Sequence, residues 1–126
     1  MARPNQLMQR VFFNMDFLSD LFDPPYYAVI FSALKTGEDA AGYSDAAARM
    51  TELAATSEGY LGVETIRQGP STITVSYWRD EAAITRWREN VEHVEARRNG
   101  RQTWYADFRL RIAKVERSYG FAPKSS

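Results

Sequence analysis

The chain has no cysteine and a single histidine, His93. The first absence rules out disulfides, thiolate metal sites and a cysteine nucleophile together. A lone histidine leaves too few soft ligands for a zinc centre. An excess of one charge is missing too: 16 basic residues meet 16 acidic ones for a formal net charge of zero. Neither a nucleic acid nor an anionic membrane surface would be drawn to such a protein from a distance. No run approaches the roughly 20 apolar residues that cross a bilayer. The N-terminal apolar stretch is interrupted by Asn14, Asp16 and Asp20 and lacks the cleavage site of a secretory signal. A cytoplasmic protein with no nucleic-acid and no membrane partner is expected. No glycine-rich phosphate cradle, Ser/His/Asp set or pair of catalytic carboxylates stands out, which argues against nucleotide-dependent, hydrolase and glycosidase chemistry.

What is present fits one domain. The chain has 126 residues, 44% apolar and 25% charged, enough to bury one core but not two. Residues 1–25 read as an N-terminal extension, in which Leu7, Met8, Val11, Phe12, Met15, Leu18 and Leu21 recur at helical spacing. This predicts an amphipathic helix between about Gln6 and Phe22, ended by Asp23-Pro24-Pro25. The run from Tyr26 to Leu34 is β-branched and aromatic on both faces, as in a central strand. Tyr43, Ala46, Ala47, Met50, Leu53 and Ala54 then mark a helix with one apolar face. Tyr60–Arg67 and Thr72–Trp78 alternate as strands around the turn Gln68-Gly69-Pro70-Ser71, and the set Thr72, Thr74, Ser76 and Trp78 faces a more polar space. Asp80 caps a helix carrying Ile84, Trp87, Val91 and Val94, and Asn99-Gly100 stops it. A last strand from Trp104 to Arg117 places Trp104, Ala106, Phe108, Leu110 and Ile112 on one face and Tyr105, Asp107, Arg109 and Arg111 on the other.

The order β-α-β-β-α-β predicts an α+β, ferredoxin-like domain over residues 26–121, followed by a tail over 122–126. Its four-stranded antiparallel sheet carries both helices on one face. The opposite face needs a cover, and a second copy of the chain, hence a homodimer, is the expected one.

Trp78 ending the third strand, then Arg-Asp-Glu-Ala-Ala opening a helix with Trp87 and His93, resembles the antibiotic biosynthesis monooxygenase family of the dimeric α/β-barrel superfamily. Tyr26–Gly37 and Ser57–Arg67 fit the same pattern, so the resemblance covers about residues 26–121. It implies one of two oxygenation chemistries. One branch oxidises polycyclic aromatic polyketides without a metal or flavin, the substrate supplying the electrons that activate dioxygen. The other binds haem and opens its ring. Against that second pattern, Arg97 stands where a histidine ligand is expected and Ile30 where an asparagine is expected. No cofactor is therefore expected, with haem as the alternative. A ligand-binding dimer without catalysis is a third reading.

Six residues, His93, Trp87, Trp78, Arg109, Tyr77 and Tyr105, are candidates for the site, with Tyr43 as a further phenol. His93 is the side chain that titrates near neutral pH and the candidate for proton transfer. On an unbroken helix it lies roughly 120° from Trp87, on the polar side, whereas a break near Asn90 would turn it inward. Trp78 and Trp87 are either core or the walls against which a small aromatic or quinol-like substrate stacks, an indole N–H donating to a developing oxyanion. Tyr77, Tyr105 and Tyr43 offer phenolic donors. Arg109 either joins an ion pair with Asp107 or Glu64 or orients a carbonyl-bearing substrate.

Overall fold

The computed structural model describes residues 17–121. Four strands, β1 (Tyr26–Lys35), β2 (Tyr60–Gln68), β3 (Ser71–Trp78) and β4 (Tyr105–Val115), form one antiparallel sheet in the order β2-β3-β1-β4. The apolar run YYAVIFSALK is central, as its two-sided hydrophobicity requires, with β3 on one flank and β4 on the other. Helix α1 (Ala40–Ala54) connects β1 to β2. Helices α2 (Glu81–Glu89) and α3 (Val91–Asn99), then a π-helical turn over Gly100–Trp104, connect β3 to β4. This is the α+β ferredoxin-like arrangement.

Register decides what each face carries. Tyr27 pairs with Trp78 and Lys114, Val29 with Ser76 and Ile112, Phe31 with Thr74 and Leu110, and Ala33 with Thr72 and Phe108. Directly paired residues share a face, so this set looks toward the helices and Tyr26, Ala28, Ile30, Ser32 and Leu34 look away. The core on the helix side is Ala54, Trp78, Ala83 and Ile84, with Tyr27, Val29, Tyr60 and Trp87 packed around it. Gly59 belongs here for a steric reason. Its φ is +87°, and a Cβ would stand 2.4 Å from that of Ala83, so α2 packs against bare backbone.

The predicted single second helix is two. Asn90, with ψ 131°, interrupts it, and its side chain accepts the His93 N–H at 3.2 Å to start α3. Asp80 caps α2 as predicted, accepting the Ala83 N–H at 2.8 Å. Asp80→Ala should cost about 1 kcal/mol in urea denaturation; a loss within error of zero would mean that solvent replaces the cap.

Two sequence expectations change at β4. Trp104 does not begin the strand; it closes the π-helical turn and is buried. Tyr105 does not share a face with Asp107. Leu34 pairs with Asp107 but Lys35 with Tyr105, so Ala106 is an extra, bulged residue that reverses the alternation and sends Tyr105 to the helix side. Most of the predicted Gln6–Phe22 helix lies outside the described residues. Its last part, residues 17–22, is irregular. There the Ser19 N–H donates to Glu64 Oε2 at 3.0 Å, and the Phe22 ring meets Tyr26 edge-on at 6.1 Å, on the side of the sheet away from the helices.

Candidate functional site

The space between helices and sheet has two differently built ends. At one end Trp78, fully buried at the close of β3, donates its indole N–H to Ser76 Oγ at 2.9 Å. The Tyr60 ring meets it edge-on at 5.5 Å, and Trp87, in the last turn of α2, stacks on it at 6.2 Å. The His93 imidazole then lies flat on Trp87, 4.3 Å between ring centres and 13° from parallel. The break at Asn90 makes this possible by resetting the helical phase between the two residues.

The protonation of His93 follows from its contacts. Its Nδ1 lies 3.0 Å from the Trp87 carbonyl oxygen. A carbonyl can only accept, so Nδ1 carries the proton and Nε2 keeps its lone pair. Burial pushes the imidazole down to about 4, and the cations Arg97 and Arg88 push the same way, while the Trp87 carbonyl opposes them. At neutral pH the ring is uncharged. It can accept a hydrogen bond but is too weak a base to take a phenolic proton efficiently.

At the other end a cleft of about 580 Å³ opens between α1 and the sheet. That size suits a small molecule. Ala40, Tyr43, Ala47 and Thr51 of α1 form its roof. Lys35 from the end of β1, Arg67 from β2 and Trp104 complete it, with Glu38 at the rim. The walls are fixed locally. Trp104 donates its indole N–H to Asp39 Oδ2 at 3.2 Å and meets the Tyr43 ring edge-on at 6.0 Å. Asp39 in turn holds a left-handed φ of 50° to cap α1. Tyr105, delivered to this side by the bulge, packs at 5.8 Å against Tyr43 and 5.2 Å against Phe31. Burial, with the Tyr43 phenol beside it, raises the ionisation of Tyr105 far above the ordinary phenolic range, and nearby Arg67 only partly offsets this. Tyr105 therefore stays a hydrogen-bond donor at any working pH.

The six sequence candidates separate. Trp78, Trp87 and His93 come together at the packed end. Tyr105 stands beside the cleft. Tyr77 and Arg109 point to the opposite face of the sheet, away from both. The Tyr77 hydroxyl donates to Glu64 Oε1 at 2.7 Å, and Arg109 pairs with Asp107 on its own strand. The expected ion pair is thus formed by Asp107, while Glu64 is taken by Tyr77 and Ser19. Lys35, Arg67 and Trp104 were not singled out from the sequence. Their only signal was that each sits where a strand begins or ends.

The residues present do not make a haem site. His93 is sandwiched flat against Trp87 with Nδ1 engaged. Arg97, in the histidine ligand's place, donates to the Arg88 carbonyl at 3.2 Å, and Ile30 faces away from the helices. Among the described residues no group of three or more His, Cys, Asp or Glu could hold a metal ion, and no helix is long and apolar enough to cross a membrane.

Comparison with known proteins agrees with this architecture. Over 104 residues the chain is 50% identical to the uncharacterized protein YqjZ of Bacillus subtilis (strain 168), which spans 82% of this chain and 90% of that protein. A shorter stretch of 46 residues, 36% of this chain and 21% of the other, is 37% identical to the jasmonate monooxygenase ABM of Pyricularia oryzae. Among solved structures, SnoaB, a cofactor-independent oxygenase from Streptomyces nogalater, superposes with a TM-score of 0.65 over 75% of this chain and 97% of its own, at 13% identity. Rv0793 from Mycobacterium tuberculosis does so with a TM-score of 0.62 over 80% and 97%, at 12% identity. These two show a shared fold. The sequence model for antibiotic biosynthesis monooxygenase matches residues 25–99, well over half the chain, and with that match the chain belongs to the antibiotic biosynthesis monooxygenase family.

Proposed function

We propose that this protein is an oxidoreductase of the monooxygenase type, acting on a small aromatic or quinol-like substrate without a metal or flavin. The observation that carries this reading is the cleft under α1. It is an opening of suitable size in a chain of this family, walled by aromatic side chains and flanked by a phenol held in its donor form. The reaction balances without a cofactor. The substrate supplies all four electrons: two, with the phenolic O–H and one ring C–H proton, reduce the oxygen atom of O2 that leaves as water, and two go to the atom that becomes the new carbonyl of a quinone. The protein's task is to orient the ring and to donate hydrogen bonds to the reduced oxygen species as negative charge develops. In this reading that task falls to Tyr43, which lines the cleft, and to Tyr105, which packs against it. The six-residue step along β3 from Thr72 to Trp78, roughly 20 Å, separates the cleft end from the tryptophan stack. Trp78, Trp87 and His93 therefore stand outside the cleft, in the packing of the domain rather than against the substrate.

Oxygen uptake with a panel of electron-rich phenols tests the reading. Turnover above the buffer rate is expected, with Tyr105→Phe lowering kcat about 100-fold, the scale of one lost donor to a developing oxyanion. No uptake with any phenol would end it.

A homodimer belongs to the same reading. On the face away from the helices Leu34, Ile66 and Ile73 are exposed beside Ile30 and Val75, with Arg109 and Tyr77 around them. A second sheet laid there buries this apolar surface. Sedimentation at twice the 14.4 kDa of one chain is expected at micromolar concentration; a monomer alone would remove the dimer.

A further inference from the structure

Two cations meet at the cleft, neither in an ion pair with another described residue. Lys35 ends β1 and Arg67 comes from β2, two strands apart in the sheet, yet both line the opening. Neither forms a salt bridge among the described residues, although ion pairs occupy Arg49, Arg86, Arg98 and Arg109 elsewhere. The Lys35 ammonium stands 5.1 Å over the Tyr43 ring, a placement that keeps it at the wall. The lining has one acidic residue, Glu38, and the neighbouring Asp39 carboxylate is taken by the Trp104 indole and the Gly42 N–H, so neither cation is neutralised by an ion pair within the described residues. Thr72 pairs directly with Arg67 and shares its face of the sheet; it is 3% exposed, lies behind the lining of the cleft, and its hydroxyl has no hydrogen-bond partner among the described residues.

We infer that the cleft selects an acidic ligand: an aromatic body bearing a carboxylate, with the body against the wall that Tyr43 and Trp104 form together and the anion held by Arg67 and Lys35. Arginine's planar fork suits a carboxylate, and lysine adds a point charge from the other side. The small side chains Ala40 and Ala47 leave room for a flat ring system. This rests on the oxygenase reading for the identity of the site and adds its substrate class.

The test uses the full chain and the fluorescent probe 1-hydroxy-2-naphthoate, with 1-naphthol as its neutral counterpart. The acid is expected to bind at least about tenfold tighter than the naphthol at low salt. Arg67→Gln and Lys35→Gln should each weaken the acid about five- to tenfold and leave the naphthol unchanged. Both side chains lie at the rim, and unchanged thermal melts would confirm that the variants fold. Equal affinity for the two probes, failure of both to bind, or indifference to both substitutions would overturn the inference. The two ideas fail separately: acid binding without oxygen uptake removes the oxygenase and keeps the acidic site, whereas uptake with no preference for the acid does the reverse.

Discussion

Trp78→Ala is expected to lower stability by about 4 kcal/mol and the midpoint of thermal unfolding by roughly 15 °C. The side chain is wholly buried and touches Tyr60 on its edge, Trp87 on its face, and the core residues Ala54, Ala83 and Ile84 around it. Removing it deletes the largest fully buried side chain of the fold and leaves a cavity bounded by rigid rings, which relax poorly into empty space. The Ser76 hydroxyl also loses its indole donor. Trp78→Phe keeps a ring but not the N–H, and about 1–2 kcal/mol is expected for it. Urea denaturation of the three proteins reads both values. A cost below about 1.5 kcal/mol for the alanine variant would mean that this end of the fold is loosely packed, and that the tryptophans are free to contact a ligand after all.

Acidification supplies the second large effect. The folded-state imidazole of His93 titrates at about 4, below its ordinary 6.5. As pH falls through 6.5, the unfolded chain takes up a proton that the folded chain refuses until near 4. The unfolded state binds more protons in that window, so stability drops as pH drops and is fully retained above 6.5. The shift alone would be worth about 3 kcal/mol, and because the ring is partly solvated about 2 kcal/mol is expected to be measurable. Carboxylates such as Glu92 also lose stabilising interactions in acid, so the diagnostic quantity is a difference between proteins. The gap in stability between wild type and His93→Gln should change by that amount from pH 7.5 to pH 4. A gap that stays constant would show that the ring ionises freely in the folded protein.

Much of the architecture could be read from periodicity, because strand and helix faces were set by burial. The two-sided run from Tyr26 marked the central strand, whereas the set Thr72, Thr74, Ser76 and Trp78, read as facing a more polar space, lies on the helix side with Trp78 in the packed core. The cap at Asp80 was visible as residue chemistry. What escaped notice depended on backbone irregularity. The bulge at Ala106 leaves no trace in the pattern of apolar residues, so Tyr105 was placed with Asp107. The π-helical turn at Gly100–Trp104 likewise took a residue that looked like the first of a strand. The site was harder still. Lys35 and Arg67 are 32 positions apart and meet only because β1 and β2 flank the same strand. Periodicity says which way a side chain points but not which distant side chain it joins. His93 was the opposite case: the break that turns it inward was foreseeable at Asn90, but its neutrality depends on burial and on Arg88 and Arg97, which only the folded arrangement brings near.

The contact between His93 and the Trp87 carbonyl bears on what that ring is free to do. Where α2 stops, the carbonyl of Trp87 receives the Asn90 N–H at 3.1 Å and the imidazole Nδ1–H at 3.0 Å. The residue that seemed the natural catalyst is thereby a fastener for the joint between two helices. Glutamine, which still carries an N–H, could take over this duty, whereas phenylalanine could stack but not tie. With Nδ1–H committed to that carbonyl, the ring has only Nε2 left to offer, and it offers it as an acceptor.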